Sequence, residues 1–146
     1  MPGFVVVGVD GSESSMDALR VAAEEARTRG AKLRIVVAWH IPLAVYTDGL
    51  PPPEEITTDM QDAAQEIAKQ AEAAVPAGVD FETRLVEGQP ADALIEESEG
   101  AEVLVVGSRG LGGFARLVLG SVSQHVSHHA KCPVVIVPPD GHEHEG

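Results

Sequence analysis

Two kinds of hydrophobic pattern alternate along this chain. Short apolar, β-branched runs occur at Phe4 to Val9, Leu33 to Trp39, Val103 to Val106 and Pro133 to Val137. Runs of that length closed by turn residues predict buried strands. Val79 to Val86 alternates enough to predict one more, third in chain order. The segments between carry helical spacing instead. Met16, Leu19, Ala23 and Ala26 predict a helix over Ser12 to Arg29, with Ser14 and Asp17 as a capping box and Gly30 as its stop. Ile56, Met60, Ala63, Ile67, Ala71 and Ala74 mark a long amphipathic helix over Glu54 to Val75, its acids outward. Gly88-Gln89-Pro90 opens a helix through Ser98 that turns Leu94 and Ile95 to the core. The last helix spans Ser121 to Lys131, and Ser121 with Gln124 reads as a capping box.

Strand and helix alternate throughout, with no repeat, low-complexity tract or linker. That order predicts a five-stranded parallel α/β sheet of the doubly wound kind, a three-layer sandwich. With 146 residues the chain is expected to form one domain over residues 1–139. The last seven residues, an acidic tail carrying His142 and His144, are expected to be disordered. A single cysteine, Cys132, excludes a disulfide scaffold. No apolar run approaches the roughly 20 residues that span a bilayer, and the start of the chain lacks a basic leader, so a cytoplasmic protein without membrane contact is expected.

Charge changes the picture more than composition does. The net charge is −13, which repels a nucleic acid backbone, and the ten Lys and Arg are scattered. No nucleic acid partner is expected. Residues 48–102 hold fifteen of the acids, whereas Val103 to Pro139 holds no carboxylate and three bases. Such a stretch is where an anion meets least repulsion, and equally what a buried core segment looks like.

In doubly wound sheets ligands sit beyond the carboxyl ends of the strands. Asp10, Ala38-Trp39-His40 and the stretch Gly107-Ser108-Arg109-Gly110-Leu111-Gly112-Gly113 fall there. Four glycines in seven residues leave N–H groups uncrowded, and the next helix begins at Gly120-Ser121 with its dipole free to face an anion. Three familiar phosphate sites do not match. A P-loop needs a lysine that this stretch lacks. The dinucleotide fingerprint belongs to a first strand, and a phospho-accepting receiver wants more acids than Asp10 and Glu87. Each residue also has a plainer account. Asp10 caps a turn at Gly11, Gly107 and Gly110 make a turn, or Ser121 caps its helix. The loop from Ile41 to Pro53 is either a flap or a surface crossover. His125, His128 and His129 lie at a spacing that could share one helix face and bind Zn²⁺, or they are surface residues favoured by the negative C-terminal end of the helix. The second account is the expectation. Cys132 is expected to be inert, and His40 is a contact candidate only.

Gly107-x-x-Gly110, then nine residues, then Gly120-Ser121 resembles the universal stress protein family in its ATP-binding branch. The similarity extends over nearly the whole chain. It takes in Gly8-Val9-Asp10-Gly11-Ser12, Gly88-Gln89-Pro90, Val103 to Arg109, Leu119-Gly120-Ser121-Val122-Ser123 and Cys132-Pro133-Val134-Val135-Ile136-Val137. The resemblance implies a Rossmann-like sheet of the adenine nucleotide alpha hydrolase type, in strand order 3-2-1-4-5. It implies that Asp10 bonds a ribose and that backbone near Val9 and Ala38 flanks an adenine. Gly107, Gly110, Gly120, Ser121, Val122 and Ser123 would hold the phosphates of ATP, with Ser108 and Arg109 in the same loop. Mg²⁺ is the expected companion of a triphosphate that meets so little positive charge. The resemblance also implies a homodimer through Val134 to Val137, an apolar strand in last position.

Fast phosphoryl transfer needs a group that orients the nucleophile and cations on the γ-phosphoryl. The motif segment offers no carboxylate, and only Arg109 and Arg116 as mobile cations. The expectation is a nucleotide-dependent sensor or regulator in stress response with little or slow hydrolysis, rather than an enzyme. A slow ATPase or phosphotransferase, a nucleotide-free dimerisation module and a cAMP binder are the alternatives.

Overall fold

The computed structural model describes residues 3–41, 46, 49–109 and 120–138. Strands β1 (Phe4–Gly8), β2 (Lys32–Trp39), β3 (Phe81–Glu87), β4 (Val103–Gly107) and β5 (Val134–Val137) alternate with helices α1 (Glu13–Arg29), α2 (Glu54–Ala73), α3 (Pro90–Glu97) and α4 (Ser121–His129). All strand pairs are parallel, in the order β3-β2-β1-β4-β5. The expected doubly wound sheet and its strand order are both present.

Alternation along the strands divides the core into two layers. Val5, Val7, Leu33, Ile35, Val37, Val103 and Val105 pack against the alanines of α1 and α2. Val6, Val36, Leu104 and Val106 face the other way, toward Leu94 of α3 and Val126 of α4. Ala18, Ala22, Ala23 and Ala26 are buried on α1. Small side chains there let the helix lie close to the Val-rich central strands. α1 ends where Gly30 takes the left-handed conformation, at φ 64°, which a glycine adopts without Cβ strain.

The structure corrects several local expectations. The N-cap of α1 is Ser12, whose Oγ accepts from the Ser15 N–H, and not Ser14. Asp17 pairs instead with Arg20. On α2 the buried positions are Ala64, Ala68 and Ala71, with Ile67 partly buried, while Ala63 and Ala74 are exposed. Ala71 is buried as expected and Ile67 packs against the core, whereas at the expected Ala63 the buried position is Ala64, one residue on. β3 is an edge strand that leaves Phe81 and Leu85 exposed. Among the described residues no helix is long and apolar enough to cross a membrane. Of the Ile41 to Pro53 loop, residues 41, 46 and 49–53 are described, and residues 110–119 and 139–146 lie outside the described residues.

Candidate functional site

The helices α1 and α2 lie on one face of the sheet and α3 and α4 on the other, so the winding direction reverses between β1 and β4. A crevice forms at the carboxyl ends of strands where that reversal occurs. Here it is a cavity of about 480 Å³, bounded by Gly8, Val9 and Asp10 from the β1 exit and Gly107 and Arg109 from the β4 exit. Gly120, Ser121, Val122 and Ser123 close it from α4.

Asp10 stands at the β1 exit because the turn it begins is tied down locally. Its Oδ1 accepts from the Ser12 N–H at 2.9 Å and the Ser12 hydroxyl at 2.6 Å. Its own N–H donates to Ser15 Oγ at 3.2 Å. One carboxylate oxygen therefore holds the turn. The other has no hydrogen-bond partner among the described residues and is left to accept from a ligand hydroxyl. Both the plain reading of Asp10 and the ligand reading are compatible with this geometry.

The β4 exit is fastened at each successive backbone group. The Ser123 hydroxyl donates to the Gly107 carbonyl at 2.6 Å. The Ser108 N–H donates to the Val137 carbonyl at 3.0 Å, and the Ser108 carbonyl accepts from the Gly120 N–H at 2.7 Å. The Arg109 N–H donates to Ser14 Oγ at 3.2 Å. Gly107 is required by close approach rather than by dihedral angle: a Cβ there would lie 2.3 Å from Ser14 Oγ and 2.6 Å from the Ser14 carbonyl oxygen.

The start of α4 is open. Its N-cap is Gly120, no side chain caps it, and its first turn contains no acid. Ser121 is the first helical residue, so the expected capping box with Gln124 does not form. The first intrahelical bond runs from the Gln124 N–H to the Gly120 carbonyl. The N–H groups of Ser121, Val122 and Ser123 precede it and need partners from outside the helix. Together with the helix dipole they favour an anion.

Of the sequence-derived candidates, Val9, Asp10, Ala38, Gly107, Arg109, Gly120, Ser121, Val122 and Ser123 all border this one cavity. Ser108 does not: it is buried, and its Oγ has no hydrogen-bond partner among the described residues. Gly110 lies outside the described residues. The walls that sequence reasoning missed are Gly8, Ser15, Val36, Pro90, Leu94 and Val106. Leu94 was legible as a core residue, and its second role follows from Gly8, whose missing Cβ lets the Leu94 side chain close over the β1 exit. His40 borders a second cavity of about 570 Å³, with Tyr46, Glu87 and Gln89. The imidazoles of His125 and His129 lie 4.5 Å apart between ring centroids at a tilt of 38°, and His125 Nε2 lies 3.8 Å from Asp92 Oδ1. Among the described residues no group of three or more His, Cys, Asp or Glu is placed to hold a metal ion.

A model of the Universal stress protein family matches residues 3–138. A universal stress protein of Thermus aquaticus, from the QAH/OAS sulfhydrylase 3′ region, is 38% identical over 136 residues, which cover 91% of this chain and 96% of that protein. Universal stress proteins of Mycobacterium tuberculosis are also similar, at up to 36% identity, but the chain spans only 44–47% of their length. Among solved structures, a universal stress protein in complex with cAMP is 36% identical with a TM-score of 0.63, covering 94% of this chain and 97% of that one. The universal stress protein of Archaeoglobus fulgidus in complex with dAMP is 25% identical with a TM-score of 0.56, covering 94% and 98%.

Proposed function

The chain belongs to the universal stress protein family, and from that premise we propose that it is an ATP-binding sensor or regulator in stress response that hydrolyses ATP slowly or not at all. The observation that carries this reading is the open N-terminus of α4, facing the same cavity as Asp10. Adenine fits the apolar end, between Val36, Ala38, Leu94 and Val106, and ribose hydroxyls donate to the unpartnered oxygen of Asp10. The phosphates take the N–H groups at the start of α4. Asp10 and Arg109 are the charged residues among the described lining and offset one another, so a triphosphate brings Mg²⁺ on its own oxygens. The described lining offers one carboxylate, already engaged in a turn, as a group to orient a nucleophile, which supports binding over turnover.

The test is calorimetric titration of nucleotide-stripped protein with MgATP. One ATP per chain is expected. A folded protein that gives no heat at several temperatures would leave the nucleotide-free module as the better reading. A second ligand is favoured by the 36% identical structure bound to cAMP, so cAMP is titrated in parallel. Tighter binding of cAMP than of MgATP would move the assignment to the cyclic nucleotide.

β5 is the basis for a homodimer. Among the described residues it pairs on one side only, with β4, and leaves Val135 exposed at 36%. An unpaired apolar edge is a template for a second strand. Val135→Glu is expected to give monomer in analytical ultracentrifugation, and an unchanged dimer would overturn this assignment.

A further inference from the structure

Ser14 has a position that helix capping does not explain. The cap of α1 is supplied by Ser12, so the hydroxyl of Ser14, two residues into the helical turn, is not needed there. It reaches instead across 95 positions of sequence to accept the Arg109 N–H. Gly107 is packed against the same residue so closely that any Cβ would strike the Ser14 hydroxyl and carbonyl. The other ties on the β4 exit come from α4, its cap and β5, through Ser123, Gly120 and Val137. Ser14 is the tie that comes from α1.

We propose that Ser14 is a positioning residue for the phosphate end of the site, a deepening that rests on the nucleotide reading above. Its hydroxyl sets the plane of the Ser108–Arg109 peptide. That plane fixes the Ser108 carbonyl, to which the Gly120 N–H is bonded, and so places the first turn of α4. It also fixes the direction of Arg109, the basic side chain among the described lining residues. Without the hydroxyl, a partly buried N–H must find another acceptor, and the peptide turns to do so. The base end of the cavity, between Val36, Ala38 and Leu94, takes no part in this hydrogen bond and is expected to keep its shape.

The experiment compares wild type, Ser14→Ala and Ser14→Thr in titrations with ADP and with adenosine, alongside amide hydrogen exchange at Arg109. Ser14→Ala is expected to weaken ADP about five- to tenfold, the worth of one neutral hydrogen bond, and adenosine less than about twofold. Exchange at the Arg109 N–H accelerates in the same variant. Ser14→Thr keeps the acceptor and restores both readouts. Equal losses for ADP and adenosine would make Ser14 a general stabiliser and overturn the proposal, as would an unchanged ADP affinity in Ser14→Ala. Wild-type protein that binds neither ligand overturns the nucleotide reading itself and the proposal with it. Wild type that binds ADP, with variants that do not discriminate, overturns the proposal alone.

Discussion

Two helices start at the edge of the same cavity and are finished in opposite ways. At α1 the sequence closes its own helix end: Ser12 caps the Ser15 N–H, Asp10 accepts from Ser12, and Glu13 adds a carboxylate to the first turn. At α4 the cap is Gly120, no side chain accepts from the first turn, and no acid is present in it. At α1 the Ser15 N–H is capped by Ser12 and the Glu13 carboxylate faces the positive dipole end, whereas the first turn of α4 has neither a side-chain cap nor an acid and is left for an external anion. The same physical need, met from within at one helix and left open at the other, indicates which terminus receives the ligand. It also separates the two roles of serine in this site. The hydroxyls of Ser12 and Ser123 serve the fold, while Ser121 and Ser123 offer their backbone N–H groups.

The largest expected effect comes from making α4 resemble α1. Gly120 sits at φ −68° and ψ 163°, extended backbone that any residue adopts, so Gly120→Asp is built without backbone strain. The new carboxylate caps the helix and stabilises it by a few tenths of a kcal/mol over glycine. The same charge repels a phosphate by about 4 kcal/mol at 4 Å in a protein-surface dielectric. MgATP affinity is therefore expected to fall at least about a hundredfold while the thermal midpoint holds or rises. If binding survives in calorimetry with the midpoint raised, the anion does not sit at α4 and the comparison fails.

The reverse change, making α1 resemble α4, is expected to act on the fold first. Ser12→Ala removes the acceptor for the Ser15 N–H and the hydroxyl that bonds Asp10 Oδ1, while the backbone N–H of residue 12 still reaches that oxygen. Loss of an N-cap serine costs about 1 kcal/mol, up to about 2. Urea denaturation should register that loss, and MgATP affinity should fall far less than in Gly120→Asp. A larger loss of affinity in Ser12→Ala than in Gly120→Asp would reverse the roles assigned to the two helix ends.

How far this contrast could be read from the sequence follows from where its causes lie. The sheet was legible because β1 and β4 are short apolar runs buried on both faces, the pattern of central parallel strands, and helical segments alternate with them. The cavity was legible because Asp10 and the glycines punctuate strand ends, and the residues flanking those ends meet wherever the winding reverses. Which serine caps which helix was not. Ser12, Ser14 and Ser15 lie within four residues of one another and each can cap, and the choice rests on a contact between α1 and the β4 exit that local pattern does not encode. Gly107 illustrates the same limit. Its turn-forming reading and its ligand reading were both available, but the close approach of Ser14 arises from tertiary packing. Ala63 and Ala64 were likewise inseparable by composition, and only the packing of α2 on the sheet buries Ala64 and leaves Ala63 exposed.

The smallest expected effect sets the baseline against which both helix ends are read. On the α3 face of the sheet, Arg34 donates to Glu82 at 2.7 Å and to the Glu97 carbonyl at 2.9 Å, and stacks over the Phe4 ring at 4.2 Å. The hydrogen bond from Arg34 holds the Glu82 carboxyl below its ordinary pKa, with its charge and that of Arg84 adding in the same direction. A depressed carboxylate pKa contributes stability above the unfolded value, near 4.3, and loses it as pH falls through the lower folded value. Glu82→Gln is therefore expected to cost about 0.2–1 kcal/mol at pH 7, as partly exposed ion pairs do, with the gap to wild type closing as pH falls below about 4. The cost stays small because Arg34 keeps Glu97 and Phe4 as partners. Since neither helix terminus is touched, MgATP affinity should match wild type. A shift in affinity here would mean that the sheet transmits strain to the cavity, and the effects at Gly120 and Ser12 could then no longer be assigned to the helix ends alone.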